Sequence, residues 1–327
     1  MIGPRGTASK PTAYQLTGML AALLLVGAGA YAADAPIELP GPRAAPESIT
    51  STSDGTLYVG SFAEGGVTRI RKGEKPEIWI KPGAYDTRSI LGVLADEAHG
   101  KLWACSNDLS ARGVAGPSDV KGSFVKAFDV KSGALVTSAK LPGDRTLCND
   151  IAIGRDGAAY VTNSLQPDIL RLKPGSNTLE VWAHDPQLAP PGDGSSGLDG
   201  IAFDDEGNLY VDLFVAAQLF RVDVKDGKPD RVVHLAPSRP LKLTDAIRPL
   251  GDGSYLLIEG AGRLDRLTVS GDEAKVDTIK DGFIGPTGAT KVGATAWVSE
   301  GRLAEIVHPT GRPLKPFKIY PVALPKP

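Results

Sequence analysis

One short run of residues is written four times along this chain. Leu198-Asp199-Gly200-Ile201-Ala202-Phe203 leads through Asp204-Asp205-Glu206-Gly207 to Leu209-Tyr210-Val211. Pro46-Glu47-Ser48-Ile49 leads through Ser53-Asp54-Gly55 to Leu57-Tyr58-Val59, and Cys148-Asn149-Asp150-Ile151 through Asp156-Gly157 to Ala159-Tyr160-Val161. Leu243-Thr244-Asp245-Ala246-Ile247 leads through Asp252-Gly253 to Leu256-Leu257-Ile258. Each copy is an apolar strand, a tight turn and a second apolar strand, the pattern of a β-hairpin. In all four an oxygen-bearing side chain (Glu47, Asn149, Asp199, Asp245) stands eight residues before the turn glycine.

The glycines extend the period to six repeats. Gly55, Gly100, Gly157, Gly207, Gly253 and Gly293 form one series, and Gly73, Gly133, Gly175, Gly227, Gly271 and Gly311 a second. Partners are 18, 33, 18, 20, 18 and 18 residues apart. A third strand lies between them, as in Val67-Thr68-Arg69-Ile70 or Leu219-Phe220-Arg221-Val222, and a fourth follows, as in Glu77-Ile78-Trp79-Ile80. Tyr58, Trp103, Tyr160 and Tyr210 recur three places after the first glycine, as wedges between neighbouring sheets. Four-stranded units that cannot bury both faces alone, repeated at about 45–55 residues, predict an all-β fold, a six-bladed β-propeller. Blades start near Pro46, Ile90, Leu147, Leu198, Leu243 and Thr287, with Pro36–Pro40 and Pro316–Pro321 placed to close the ring. No helix of consequence is expected within residues 33–327, which read as one domain.

Composition agrees. Hydrophobic residues make up 42% of the 327, enough for a core, and the 39 glycines and 26 prolines punctuate apolar runs instead of clustering. A formal net charge of −2 gives no reason to expect a nucleic-acid partner. At the N-terminus Arg5 and Lys10 precede an apolar run from Leu16 to Ala30, and Ala30-Tyr31-Ala32 has the small-x-small form. Residues 1–32 thus read as a secretory signal peptide cleaved after Ala32, which implies a periplasmic or secreted protein with no membrane attachment after cleavage. Cys105 and Cys148 lack metal-ligand spacing; export allows them to pair, and buried free thiols are equally compatible with the sequence.

Connectivity places the candidate site. In a propeller the first strand of each blade lines the central channel, so the residue that opens it stands at one mouth. Glu47, Asn149, Asp199 and Asp245 are expected to meet there. Three carboxylates and an amide carbonyl suit a hard divalent cation, calcium above all, and without an ion at least one acid should keep a proton. Two plainer readings stay open: each acid caps its local turn, or the set shares a water network. Gly92 holds the same register in repeat 2, so the repeat itself does not demand an acid there. Two long links, at about residues 107–123 (with Asp108, Arg112 and Asp119) and residues 184–197, fall on the same mouth and could wall a binding site.

These residues carry a resemblance. Pro46-Glu47-Ser48, Asn149-Asp150, Leu198-Asp199-Gly200 and Thr244-Asp245-Ala246 resemble the metal-site motifs of the six-bladed propellers of the gluconolactonase and senescence-marker-protein group, with paraoxonase and diisopropylfluorophosphatase as more distant relatives. The resemblance spans residues 33–327. It implies that Glu47, Asn149, Asp199 and Asp245 hold a catalytic divalent metal, with Asn149 also able to face the substrate. Where the group carries Asn in blade 4 this chain has Asp199, and its substrate-binding arginine is replaced by Leu147, leaving Arg145 as the nearest substitute. The expected activity is metal-dependent hydrolysis of a lactone or related ester, a small-molecule substrate, with Asp245 or Asp199 as general base, or Asp245 as nucleophile. The rival from another class is a non-catalytic ligand- or protein-binding propeller of the NHL or YWTD kind, since the fold hosts both. A strictosidine-synthase-like propeller is a third.

Overall fold

The computed structural model describes residues 1–3 and 35–325. The signal-peptide reading therefore lies outside the described residues, apart from the first three. Residues 35–325 form one compact unit. Among the described residues no helix is long and apolar enough to cross a membrane.

The repeats fold as read. Inner strands run at Pro46–Ser51, Ser89–Asp96, Cys148–Ile153, Leu198–Phe203, Thr244–Pro249 and Pro286–Val292. Each begins an antiparallel four-stranded group that runs outward in chain order, except in the last repeat. The outer strands of repeats 4 and 5 touch through a short parallel pairing, Ala236 with Glu273 and Pro237 with Ala274. Each inner strand neighbours the next around a circle that returns from Pro286–Val292 to Pro46–Ser51. The fold is a β-propeller.

Hydrophobic clusters lie between consecutive groups, where faces too apolar for water can be buried. Ile201, Val211 and Phe220 of repeat 4 join Ala152, Ile169 and Trp182 of repeat 3; Ile247, Leu257 and Leu267 of repeat 5 join Tyr210, Leu219 and Leu235 of repeat 4. The recurring aromatics are the wedges. Tyr160 meets Trp182 and Phe203 edge-on, each with ring centroids 5.0 Å apart, and Tyr58 meets Trp79 at 5.2 Å.

The sixth repeat departs from the glycine grammar. Gly311 does not close a hairpin; a five-residue α-helix, Leu303–Val307, and a loop fill residues 303–317 after the second strand. The third strand comes from Lys318–Ala323 and the fourth from the far end of the chain, Ile37–Glu38, with Ile37 opposite Ile319. The two segments expected to close the ring do pair.

Candidate metal centre

Glu47, Asn149, Asp199 and Asp245 are buried, and together with Ser48, Gly92, Asp150, Ala246 and Thr287 they line one small space. The backbone explains why neighbours in sequence share it. In each of the four repeats the pairing of inner and second strands slips by one residue over this stretch, between Pro46 and Ile49, Cys148 and Ile151, Leu198 and Ile201, and Thr244 and Ile247. Such a bulge re-aims side chains that a regular strand would send to opposite faces. Asn149 and Asp150 consequently face the same cavity. Gly92 is a packing requirement: a Cβ there would lie 2.3 Å from the Asn149 carbonyl oxygen and 2.8 Å from the Asp150 Cα.

Adjacent repeats clamp the donor strands. The Asn107 side chain pairs with the Cys148 backbone in both directions, Nδ2 donating to its carbonyl (2.8 Å) and Oδ1 accepting from its amide (2.9 Å). Cys105, two residues earlier, is disulfide-bonded to Cys148. This pairing ties repeat 2 to the residue before Asn149. Thr162 Oγ1 donates to the Asp199 carbonyl (2.7 Å), Ser164 Oγ to that of Leu198 (2.6 Å), and Thr287 Oγ1 to that of Pro46 (2.8 Å). These buried hydroxyls each bind a main-chain carbonyl of a donor strand.

Burial and like charge govern the acids. Burial, then the Asp150 charge, pushes the Asp199 carboxyl up to about 8, against the hydrogen bond from Asn149 Nδ2 to its Oδ2 (2.8 Å). Burial followed by Asp199 raises both Glu47 and Asp245 well above the ordinary carboxylate range. The hydrogen bonds of the described residues include none to the Glu47 or Asp245 carboxylates, so local turn-capping does not account for those two. Burial and mutual repulsion favour the protonated form of these carboxyls, and a bound cation would favour the ionised form.

Three members of this network escaped the sequence reading. Arg248, 7% exposed, reaches from repeat 5 to Asp150 of repeat 3 in a two-pronged pair, Nη1 to Oδ2 at 2.5 Å and Nη2 to Oδ1 at 2.8 Å. Its Nη2 also lies 3.4 Å from Ser48 Oγ of repeat 1. Burial works against the Arg248 charge, yet Asp150, then Glu47 and Asp245, hold it more firmly than usual. Asp212, fully buried in the second strand of repeat 4, is the third. Burial and the Asp199 charge raise its pKa well above the usual range; the Gly200 amide and Thr244 hydroxyl approach without completing a hydrogen bond to either oxygen. Asp212 is legible as the lone acid in Leu209-Tyr210-Val211-Asp212-Leu213, a strand otherwise apolar, whereas Asp150, next to Asn149, would fall on the opposite face of a regular strand. Arg248 is marked only by its place in an inner strand.

Arg145 is not brought in. It is exposed on the link before the third inner strand, where its Nη2 pairs with Asp193 at 3.3 Å. Leu147 is buried in the core and leaves that position apolar. Arg145 belongs instead to the loop wall: Asp193 sits on residues 184–197, and Arg112 of the repeat 2 link donates to the Gly194 carbonyl of the same loop at 3.4 Å. Arg88 anchors the repeat 2 link from below, with a 3.0 Å ion pair to Asp108 and a 3.0 Å hydrogen bond to the Val120 carbonyl.

The donor chemistry fits a hard cation. Its ligands would all be oxygens, three from carboxyls that burial and mutual repulsion disfavour as bare anions, and the Asn149 Oδ1 takes no hydrogen bond among the described residues. The side chains line the space without enclosing a point. Among the described residues no three acidic, histidine or cysteine side chains stand as a ligating cluster, and no room remains between them for a water molecule.

No protein-family model matches the chain, and no curated protein does. Solved structures do. The major allergen Mala s 1 of Malassezia sympodialis is similar over 89% of this chain and 96% of its own, at 18% identity and a TM-score of 0.65. A gluconolactonase from Xanthomonas campestris matches over 89% and 95%, at 16% identity and 0.62. Virginiamycin B lyase from Staphylococcus aureus matches over 88% and 83%, at 18% and 0.59. At these identities the likeness is one of fold, and that shared fold is the β-propeller.

Proposed function

We propose that this chain is an exported six-bladed propeller that hydrolyses lactones or related esters with the help of a divalent cation, most suitably calcium, at the mouth lined by Glu47, Asn149, Asp199 and Asp245. The observation that carries this reading is the gathering of those four oxygen donors, from four repeats spread over 199 positions, around one space. The similar gluconolactonase structures support the substrate class. Export rests on the N-terminal residues alone.

Calcium bound there would supply Lewis-acid polarisation of the substrate carbonyl. Glu47 and Asn149 would bind and orient. Asp245 or Asp199, ionised once the cation offsets its neighbours, would take the proton from the attacking water; removing such a base lowers the rate about 10²–10⁴-fold. Asp245 as a direct nucleophile is the variant of this step. The Arg248–Asp150 pair, whose Asp150 lines the same space, sets the charge that the donors face.

A second reading, a binding propeller without chemistry, draws on the tightness of the space and on Arg145 facing solvent. The experiment is thermal unfolding with calcium and with chelator, alongside a panel of lactones and aryl esters. A cation that binds only the folded state at 100 times its Kd adds about 2.7 kcal/mol. The expected result is a calcium-dependent rise in Tm, lost in Glu47→Gln and Asp245→Asn, with chelator-sensitive turnover. A Tm indifferent to calcium overturns the metal site. A calcium effect without turnover of any ester favours the binding reading.

A further inference from the structure

We infer that Ser164 is a positioning residue for the donor set: its hydroxyl fixes which way the Asn149 amide points, so that Oδ1 and not Nδ2 faces the space shared with Glu47, Asp199 and Asp245. The use made of that orientation rests on the cation reading above; the orientation itself does not.

Of the four donors, Asn149 is the one with two unlike ends. A carboxylate offers an oxygen whichever way it is turned, whereas an amide turned over offers N–H groups, which repel a cation. Repeat 3 therefore needs a device that repeats 1, 4 and 5 do not. Equivalent positions can be matched through the main chain. The amides of Phe62, Ser164, Phe214 and Gly260 donate to the carbonyls of Ala45, Leu147, Gly197 and Leu243, each two residues before a donor. Phe62, Phe214 and Gly260 bring no polar side chain to this position. Ser164, in the repeat whose donor is an amide, brings a hydroxyl.

The direction of each bond follows from what its atoms are able to do. The Leu198 carbonyl can only accept, so the 2.6 Å bond from Ser164 Oγ places the one hydroxyl proton there. What Oγ then turns towards Asn149, 2.9 Å away, is a lone pair, and the Asn149 atom that meets it has to be Nδ2. The second Nδ2 hydrogen goes to Asp199 Oδ2 at 2.8 Å. Both amide hydrogens are thereby committed: Oδ1 is left for the donor space, and Asn149 keeps no N–H for a substrate. Ser164 is held from every side. It is fully buried, its amide donates to the Leu147 carbonyl at 2.9 Å, and its carbonyl accepts from the Gly197 amide at 2.8 Å. Hydrogen bonds linked in such a chain polarise and strengthen one another.

The test is NMR of the full chain carrying isotope-labelled asparagine, with the Asn149 side-chain signals assigned by their loss in Asn149→Asp. In chelator both Asn149 side-chain hydrogens should exchange with solvent at least about tenfold more slowly than those of the exposed Asn177. Ser164→Ala should release one of them. Calcium titration gives a second readout. Ser164→Ala should weaken calcium binding about fivefold, the scale of one hydrogen bond. Added to Asn149→Asp, where either oxygen serves, it should change nothing. That contrast separates positioning from a general loosening of the fold, which would weaken both backgrounds alike. Asn149 hydrogens that exchange as fast as those of Asn177, signals or calcium affinity indifferent to Ser164→Ala, or an equal loss of affinity in both backgrounds would each overturn the assignment. A wild type that binds no calcium would refute the cation reading, and the exchange rates would then decide the role of Ser164 by themselves.

Discussion

Replacing Arg248 with methionine isolates the charge arrangement under the donor set. The substitution keeps the apolar stem and removes a guanidinium that bridges repeats 3 and 5 and approaches repeat 1. Asp150, 3% exposed, would be left facing Glu47, Asp199, Asp212 and Asp245 with no cation. Breaking a buried pair from one side costs about 3–5 kcal/mol. For a domain of this size that is a Tm drop of roughly 5–8 °C, from an unfolding entropy of about 2 cal/mol/K per residue. The opposite truncation, Asp150→Asn, should cost less, about 1–2 kcal/mol, because Glu47 and Asp245 still stand near the stranded arginine. The double variant should be less destabilised than the sum of the two singles. Urea unfolding followed by circular dichroism in the presence of chelator gives all three values. The reasoning fails if Arg248→Met falls within about 1 kcal/mol of wild type, or if Asp150→Asn is the more damaging change.

Acidity gives another handle: Glu47, Asp199 and Asp245 keep protons in the folded chain that they lose in the unfolded one. Their contribution is fully present below the ordinary carboxylate pKa of about 4 and disappears as pH rises towards the Asp199 value of about 8, so metal-free protein should be less stable at pH 8 than at pH 5. Calcium needs the ionised forms, so its stabilising effect should grow over the same interval; a metal-free Tm that is flat or rising would contradict the raised pKa values. The Cys105–Cys148 disulfide closes 43 residues, which corresponds to about 4 kcal/mol of unfolded-state entropy. Replacing both cysteines with serine should lower the unfolding midpoint accordingly and weaken the calcium effect through Asn149, while an unchanged midpoint would mean that the bond carries no load.

Much of this was readable because a repeat prints its geometry into the spacing. Eight residues from donor to turn glycine, four times over, sufficed to expect Glu47, Asn149, Asp199 and Asp245 in one place, and they are. Asp150 and Arg248 were hidden for different reasons. Alternation along a strand assigns Asp150 to the face opposite Asn149, and only the one-residue slip of the pairing turns both inward. Arg248 finds its partner 98 positions away, across the channel, a relation that no local pattern encodes. Arg145 shows the reverse relation: close in sequence to Asn149, it lies on a link that pairs it with Asp193. Gly311 kept the period while the chain before it formed a short helix and a loop, because the outermost strand of that repeat is supplied from the other end.

That borrowed strand has a consequence for how the molecule is made. Ile37–Glu38 waits unpaired through the synthesis of some 280 residues until Lys318–Ala323 emerges to receive it. The circle is therefore sealed only once Lys318–Ala323 has been made, and a chain that stops short of it lacks the closing pair. Removing Ile37–Glu38 or Lys318–Ala323 would not trim the protein at an indifferent edge; it would take away half of the clasp that closes the circle.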